Sequence, residues 1–367
     1  MRFVDPMYQT MVSELAQRSL DAVFVSAYPA SGRFVPVTVK DKKYWYFDEP
    51  REGGGQQRKY VGPAEDPEIA SRVEAFKDLK ADFRSRRKLV STLVREAFLP
   101  RPDSLTGDVI EALANAGLFR LRGVLVGTAA FQTYSAFLGV RLPNGVMQTA
   151  DADFAQFPSV SAAVGDSLPP VLDELRKADP TFREAPHRSD SRHTTKFVSR
   201  SKFEVEFLAP NTGSADHDDR PIAMPALGGA SATPLRFLDF LIHEPVHSIL
   251  LHNAGVPVLV PAPERYATHK LIVATRRRDD PNGVAKSDKD VRQAVALFEA
   301  MISTHRHVDL AVAFTEAWNR GPAWREALRH GLSRIAPRDR KEIETGLAEG
   351  VRHLGDEPAK YELEARH

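Results

Sequence analysis

The spacing of apolar residues changes repeatedly along the chain, and each change predicts a different element. Between residues 6 and 28, Met11, Leu15 and Leu20 fall along one helical face. From Gly32, Phe34, Val35, Val37 and Val39 lead to a turn-like Lys40-Asp41-Lys42, and Tyr44, Trp45, Tyr46 and Phe47 follow. β-branched and aromatic residues on both sides of a polar turn predict a β-hairpin. EGGGQQRKY, 52–60, reads as a flexible polar loop. A long basic helix is expected over 66–98, with Lys77, Lys80, Arg84, Arg86, Arg87 and Lys88 as a solvated face or a docking surface for a polyanion. Pro100 and Pro102 end it.

A shorter helix, 105–117, opens a stretch in which strands and helices mix: LRGVLVGTAAF (121–131), MQTADADFAQF (147–157), a helix near 169–178, and KFVSRSKFEVEFLAP (196–210). A polar loop, 211–234, leads to FLIHEPVHSILLHN. From Pro263 onward the pattern is helical, with heptad-like apolar positions in VRQAVALFEAMI and WREALRHGLSRI. The charged ending EPAKYELEARH is expected to fray.

Composition narrows the function classes. The length of 367 residues suggests two or three domains, and 42% hydrophobic with 27% charged residues is ordinary for a globular chain. Fifty basic and 49 acidic residues give a net charge of +1, so only a local patch can argue for nucleic acid. The absence of cysteine removes disulfides, thiolate zinc sites and cysteine nucleophiles. No basic-then-apolar leader opens the chain, and no apolar run reaches the roughly 20 residues of a membrane span, so a cytoplasmic protein with no membrane partner is expected. There is no G-x-x-x-x-G-K-[ST] and no G-x-S-x-G. His305 and His307 read as surface residues, and Arg276, Arg277 and Arg278 as a solvated helix end or a grip on a nucleotide tail.

His243-Glu244-Pro245-Val246-His247 matches the H-E-x-x-H of zinc metalloproteases. That chemistry needs both histidines on one helical face. Pro245 opposes it, because proline cannot sit inside a helix and turns the preceding residue extended. The expectation is an extended LDFLIH, a break, and a short helix VHSILLHN, with no zinc site.

A different constellation carries more chemistry. Val124–Val126 reads as a strand that turns at Gly127-Thr128 into a helix bearing Phe131, Tyr134 and Phe137. Such a turn lets a phosphate approach the backbone and meet free helix N–H groups. Asp151 and Asp153 in TADADFA are two apart on a strand and share a face, a pairing that attracts a hard cation such as Mg²⁺. Glu204 and Glu206 share a face of a later strand, and either completes a three-carboxylate site of the kind that holds two metals.

A strand–Gly-Thr–helix, then D-x-D, then a later strand acid resembles the nucleotidyltransferase superfamily of polymerase-β-like fold. VPAPERYATHKLIVA and KSDKDVRQA resemble segments of its larger bacterial branch, which includes AbiEii-type toxins. The resemblance covers roughly 105–300. It implies that Val205-Glu206-Phe207-Leu208 carries the third acid, Glu206, where the family has aspartate. It also implies that Arg265 and Lys270 approach the nucleotide phosphates. The usual Gly-Gly or Gly-Ser turn is Gly-Thr here.

The expectation is therefore an α+β fold. An N-terminal helix–hairpin–helix region (1–104) precedes a nucleotidyltransferase-type mixed-sheet core (105–262) and a C-terminal helical domain (263–367). Asp151, Asp153 and Glu206 would be catalytic and hold Mg²⁺ or Mn²⁺; Gly127, Thr128, Arg265 and Lys270 would bind the NTP. A nucleoside monophosphate would pass to a hydroxyl of RNA (tRNA among the candidates), protein or a small molecule. The resemblance adds a toxin–antitoxin or defence setting with a separate antitoxin chain. The alternative is a non-catalytic nucleotide- or RNA-binding protein on the same fold; zinc proteolysis stands last.

Overall fold

A computed structural model describes residues 1–23, 32–39, 42–50, 56–143, 145, 147, 151–163, 166–187, 190–211, 220–277 and 281–363. The Lys40-Asp41 turn, the glycines at 52–54, most of the 211–219 loop and Arg278 lie outside the described residues.

The N-terminal region runs β1 (Arg2–Phe3), α1 (Pro6–Val23), β2 (Arg33–Val39), β3 (Lys42–Pro50), β4 (Gln56–Pro63) and α2 (Pro67–Arg95). β2 and β3 pair as the expected hairpin, but a third antiparallel strand, β4, occupies most of the expected loop. Its polar composition hides it in the sequence, since it is held by main-chain pairing and by Arg58, whose Nε donates to buried Asp48 at 2.6 Å. Phe76 of α2 packs edge-on against Phe34 and Phe47, at 5.0 and 5.6 Å between centroids, and so seats the sheet on the helix. The basic face of α2 is largely exposed, as at Lys77, Arg84, Arg87 and Lys88. Arg86 departs from it: the side chain is buried, pairs with Asp82, and donates to the Ala254 carbonyl at 2.9 Å.

The central part contains α3 (Ser104–Ala116), β5 (Val124–Val126), α4 (Gly127–Leu138), β6 (Val140–Arg141), β7 (Asp151–Ala155), α5 (Pro158–Ala163), α6 (Val171–Ala178), β8 (Arg183–Pro186), β9 (Thr194–Val198), β10 (Glu204–Asn211), β11 (Ile222–Ala223), β12 (Ser231–Arg236), α7 (Leu238–Leu241), β13 (Val246–Leu250) and β14 (Val256–Val260). Asp103 caps α3 by accepting from the Thr106 amide, and Gly117, left-handed at φ 102°, ends it. The main sheet runs β11-β12-β10-β7-β5. β10 is parallel to both β7 and β12, and β9 lies antiparallel along its first half. Helices α8 (Pro263–Ala274), α9 (Pro281–Ser303), α10 (His307–Asn319), α11 (Pro322–Ser333) and α12 (Pro337–His353) follow. The molecule is α+β, as the sequence pattern indicates. One apolar core runs from Val109 of α3 to Leu363. A smaller core joins Val12, Leu15, Val90 and Leu93 to Ile249 of β13. Among the described residues no helix is long and apolar enough to cross a membrane.

Two expectations are corrected here. LDFL is helical (α7) and VHSIL is a strand (β13), the reverse of the expected order. Short apolar runs fit either state by pattern alone. What decides is the partner: β13 pairs residue for residue with VPVLV of β14 across the Gly255 turn. The ending does not fray as far as Leu363, because Tyr361 and Leu363 are buried and Tyr361 meets Trp318 edge-on at 6.4 Å.

Candidate active site

Alternation along β7 separates structure from chemistry. Ala152 and Phe154 are buried, and Phe154 stacks on Phe207 of β10 with centroids 5.8 Å apart. Asp151 and Asp153 therefore emerge together on the other face. β10 lies parallel in register, placing Glu204 beside Asp151 and Glu206 beside Asp153. On the far side of β10, β9 places Lys196 opposite Glu206. Lys196 Nζ donates to Glu204 Oε2 at 2.7 Å and lies 3.6 Å from Glu206 Oε2, while Thr233 Oγ1 donates to Glu206 Oε1 at 3.0 Å.

Burial, followed by the charges of Asp151 and Glu206, pushes Asp153 up to about 7; Lys270 and Lys196 oppose the rise. The charge from β10 that acts on Asp153 is thus that of Glu206, with Glu204 engaged by Lys196. Among the described residues, the three-ligand sets whose atoms already lie within 4.8 Å of one another are elsewhere, at Asp108–Glu111–His252 and His307–Glu349–His353. Asp151, Asp153 and Glu206 share one face without being drawn that tightly together. Like charges so placed repel, and a cation would relieve that repulsion. An all-carboxylate donor set suits a hard, oxygen-preferring ion such as Mg²⁺ or Mn²⁺ rather than zinc.

The strand-to-helix turn abuts this face. Val126 pairs with Asp153 across β5 and β7, and the next residue, Gly127, has φ +65°. A Cβ there would lie 2.7 Å from Asp153 Oδ2, so glycine is required both by the backbone and by the acid's closeness. Gly127 and buried Thr128 form the N-terminus of α4, an end of the helix whose first-turn amide groups favour an anion. Tyr266 Oη of α8 lies 2.9 Å from the Gly127 carbonyl and 3.1 Å from Gln293 Oε1 of α9.

Lys270, one helical turn beyond Tyr266, is close enough to lower the Asp153 pKa, and its Nζ donates to buried Asp290 at 2.5 Å. Arg277 also pairs with Asp290, at 2.7 Å. Burial, together with repulsion from Lys270, lowers the pKa of Lys289, and the charge of Asp151 opposes that fall. Arg265 is engaged elsewhere. Its guanidinium donates to Glu316 of α10 at 2.7 Å and to the Phe240 carbonyl at 3.3 Å, with the Phe240 ring beneath it. It braces α7 and α10 against α8.

Sequence reading missed Lys196 and Tyr266. Lys196 acquires meaning only from the antiparallel pairing of β9 with β10, which no local pattern announces. Tyr266 reads as an ordinary helix residue until the fold brings it to Gly127. KSDKDVRQA did carry a signal, and it supplies Lys289, Asp290 and Gln293. In the HEPVH segment, His243 and Glu244 are exposed beyond α7 and His247 is exposed on β13, so the histidines share no helix.

No curated protein matches the chain. A crystal structure of an antigenic nucleotidyltransferase-like protein from Paracoccidioides brasiliensis aligns over 63% of this chain and 95% of its own, at 14% identity and a TM-score of 0.30. The family model described as Nucleotidyltransferase matches residues 104–319, from the first turn of α3 to the end of α10. That match takes in well over half the chain, including the acids of β7 and β10, the Gly127 turn and Lys270, and the chain belongs to the nucleotidyltransferase family.

Proposed function

We propose that this chain transfers a nucleoside monophosphate from an NTP to an acceptor hydroxyl with the help of Mg²⁺ or Mn²⁺. The observation that carries the reading is the register of β7 and β10, which sets Glu206 beside Asp153 at the foot of the Gly127 turn. Asp151, Asp153 and Glu206 would hold the cation. When bound there, it neutralises triphosphate charge and favours ionisation of the acceptor hydroxyl. The α4 N-terminus at Gly127 and Thr128 receives a phosphate, and Lys270 offsets the charge of the leaving pyrophosphate. The acceptor oxygen forms a bond to the α-phosphorus, the bond to pyrophosphate breaks, and Glu206 takes the acceptor's proton. Arg265, Lys270 and Lys289 remain the candidate phosphate cations in this reading, Arg265 already paired with Glu316 and Lys270 with Asp290.

The acceptor is RNA, protein or a small hydroxyl compound. An AbiEii-like bacterial setting, a cytoplasmic location and an antitoxin partner belong to the same proposal. So does the division into 1–104, 105–262 and 263–367, in which the central segment supplies the acids and the helical segment supplies Lys270. A second reading, binding of nucleotide or RNA without turnover, has one observation in its favour: Lys196 and Thr233 already engage Glu206.

The test is label transfer from each radiolabelled NTP, with Mg²⁺ or Mn²⁺, to total tRNA, protein and small acceptors. Wild type is expected to transfer label, and the Asp151→Ala/Asp153→Ala double variant to lose at least about a thousandfold. Transfer that survives the double substitution would remove these acids from the chemistry. Nucleotide binding with no transfer to any acceptor would favour the binding protein.

A further inference from the structure

Outside the acidic face, two helices bring together a donor set of different character. His307 opens α10, and Glu349 and His353 lie one turn apart near the end of α12. One ligand atom from each falls within 4.8 Å of the other two. His307 Nε2 is 3.8 Å from Glu349 Oε1, too long for a hydrogen bond, and the two imidazole rings tilt toward each other with centroids 5.1 Å apart. Ligands bound tetrahedrally at zinc distances stand about 3.3 Å apart, so small rotamer changes close the set.

Two further features suit a ligand set. His353 Nδ1 lies 2.9 Å from the Glu349 carbonyl, which can only accept; Nδ1 therefore carries the proton, and Nε2 keeps the lone pair that a metal needs. Fixing a histidine tautomer through its other ring nitrogen is the usual support for a metal ligand. The backbones are also held at close approach. A Cβ on Gly350, which follows Glu349, would lie 2.2 Å from the His307 carbonyl oxygen, so the two helices meet at the point where the ligands project. Glu349 and His353 are exposed, which gives an ion free access.

We propose that His307, Glu349 and His353 form a zinc-class site that clamps the start of α10 to the end of α12. Two imidazoles and one carboxylate fill three positions, and water fills the fourth. This donor set selects a borderline metal over Mg²⁺, so the site is chemically separate from the all-carboxylate face and does not depend on nucleotidyl transfer.

The experiment is Zn²⁺ titration of chelator-stripped full-length Asp151→Ala/Asp153→Ala protein, read by competition with a chromophoric chelator, with Co²⁺ absorption as a second signal. One Zn²⁺ per chain is expected, with a visible Co²⁺ band of a tetrahedral nitrogen–oxygen site. His353→Ala and His307→Ala should each weaken binding by at least about tenfold, whereas His305→Ala should leave it unchanged. Thermal melting should rise with Zn²⁺ in the parent and not in His353→Ala. Unchanged affinity in both ligand variants, or no saturable binding by the parent, would overturn the site.

Discussion

At Asp153 a carboxylate is kept in a place that disfavours its charge. Its pKa, pushed from 3.8 to about 7, means that between those values the folded chain holds a proton that the unfolded chain releases. The sign follows from linkage: stability falls as pH rises across that window, and the loss is complete above it. Asp153→Asn should flatten this part of the stability profile in the absence of metal, and saturating Mg²⁺ should flatten it in wild type. Thermal melts across the window check both, and an unchanged slope in Asp153→Asn would assign the effect to other groups. Gly127 is the neighbouring position that tolerates no side chain. Gly127→Ala should cost about 1–2 kcal/mol from the left-handed backbone alone and should displace Asp153. Denaturant unfolding measures the first effect, and loss of label transfer with retained folding measures the second. Both aspartates were legible in the sequence, because D-x-D on a strand guarantees a shared face. Lys196 was not, since its position depends on a pairing between β9 and β10 that is set by the whole sheet.

Among the elements, the segment around HEPVH shows where pattern stops being informative. The run from Leu238 to Leu250 is apolar enough for helix or strand, and both short elements took the state opposite to expectation. Proline did exclude a continuous helix, since Pro245 sits between α7 and β13, but Glu244 before it is left-handed at φ 51° and not extended as expected. His243 and His247 therefore act as surface residues. His243→Ala with His247→Ala should leave label transfer within about twofold of wild type, as expected for exposed substitutions away from a site. A large loss, measured in the same assay, would return these histidines to the chemistry. The third strand of the N-terminal sheet was illegible for a related reason. QQRKYVGP is polar because it pairs at an edge and places Arg58 over Asp48, not because it is a loop. Long helices, by contrast, were legible within a few residues. Their periodicity spans several turns, and their ends carry chemical signals such as Asp103 and Gly117.

Across the whole molecule, the sheet supplies Asp151, Asp153 and Glu206 together with Lys196, the helical segment supplies Lys270 and Lys289, and one apolar core joins the two. That dependence on both segments fits the extent of the family match, which crosses from β14 into α8, α9 and α10. The Tyr266 hydroxyl gives this arrangement a reporter. It has one proton and two acceptors, the Gly127 carbonyl and Gln293 Oε1. If the turn receives a phosphate as proposed, the claim of Gly127 on that proton would change, and α9 would feel the change through Gln293. Nucleotide occupancy should therefore slow amide hydrogen exchange in α8 and α9 as well as in α4, and Tyr266→Phe should confine the slowing to α4. Exchange mass spectrometry with and without NTP tests this, and equal slowing in both proteins would leave the hydroxyl no part in it. On the proposed reading, the shared proton would make the helical segment a listener to a substrate received by the sheet.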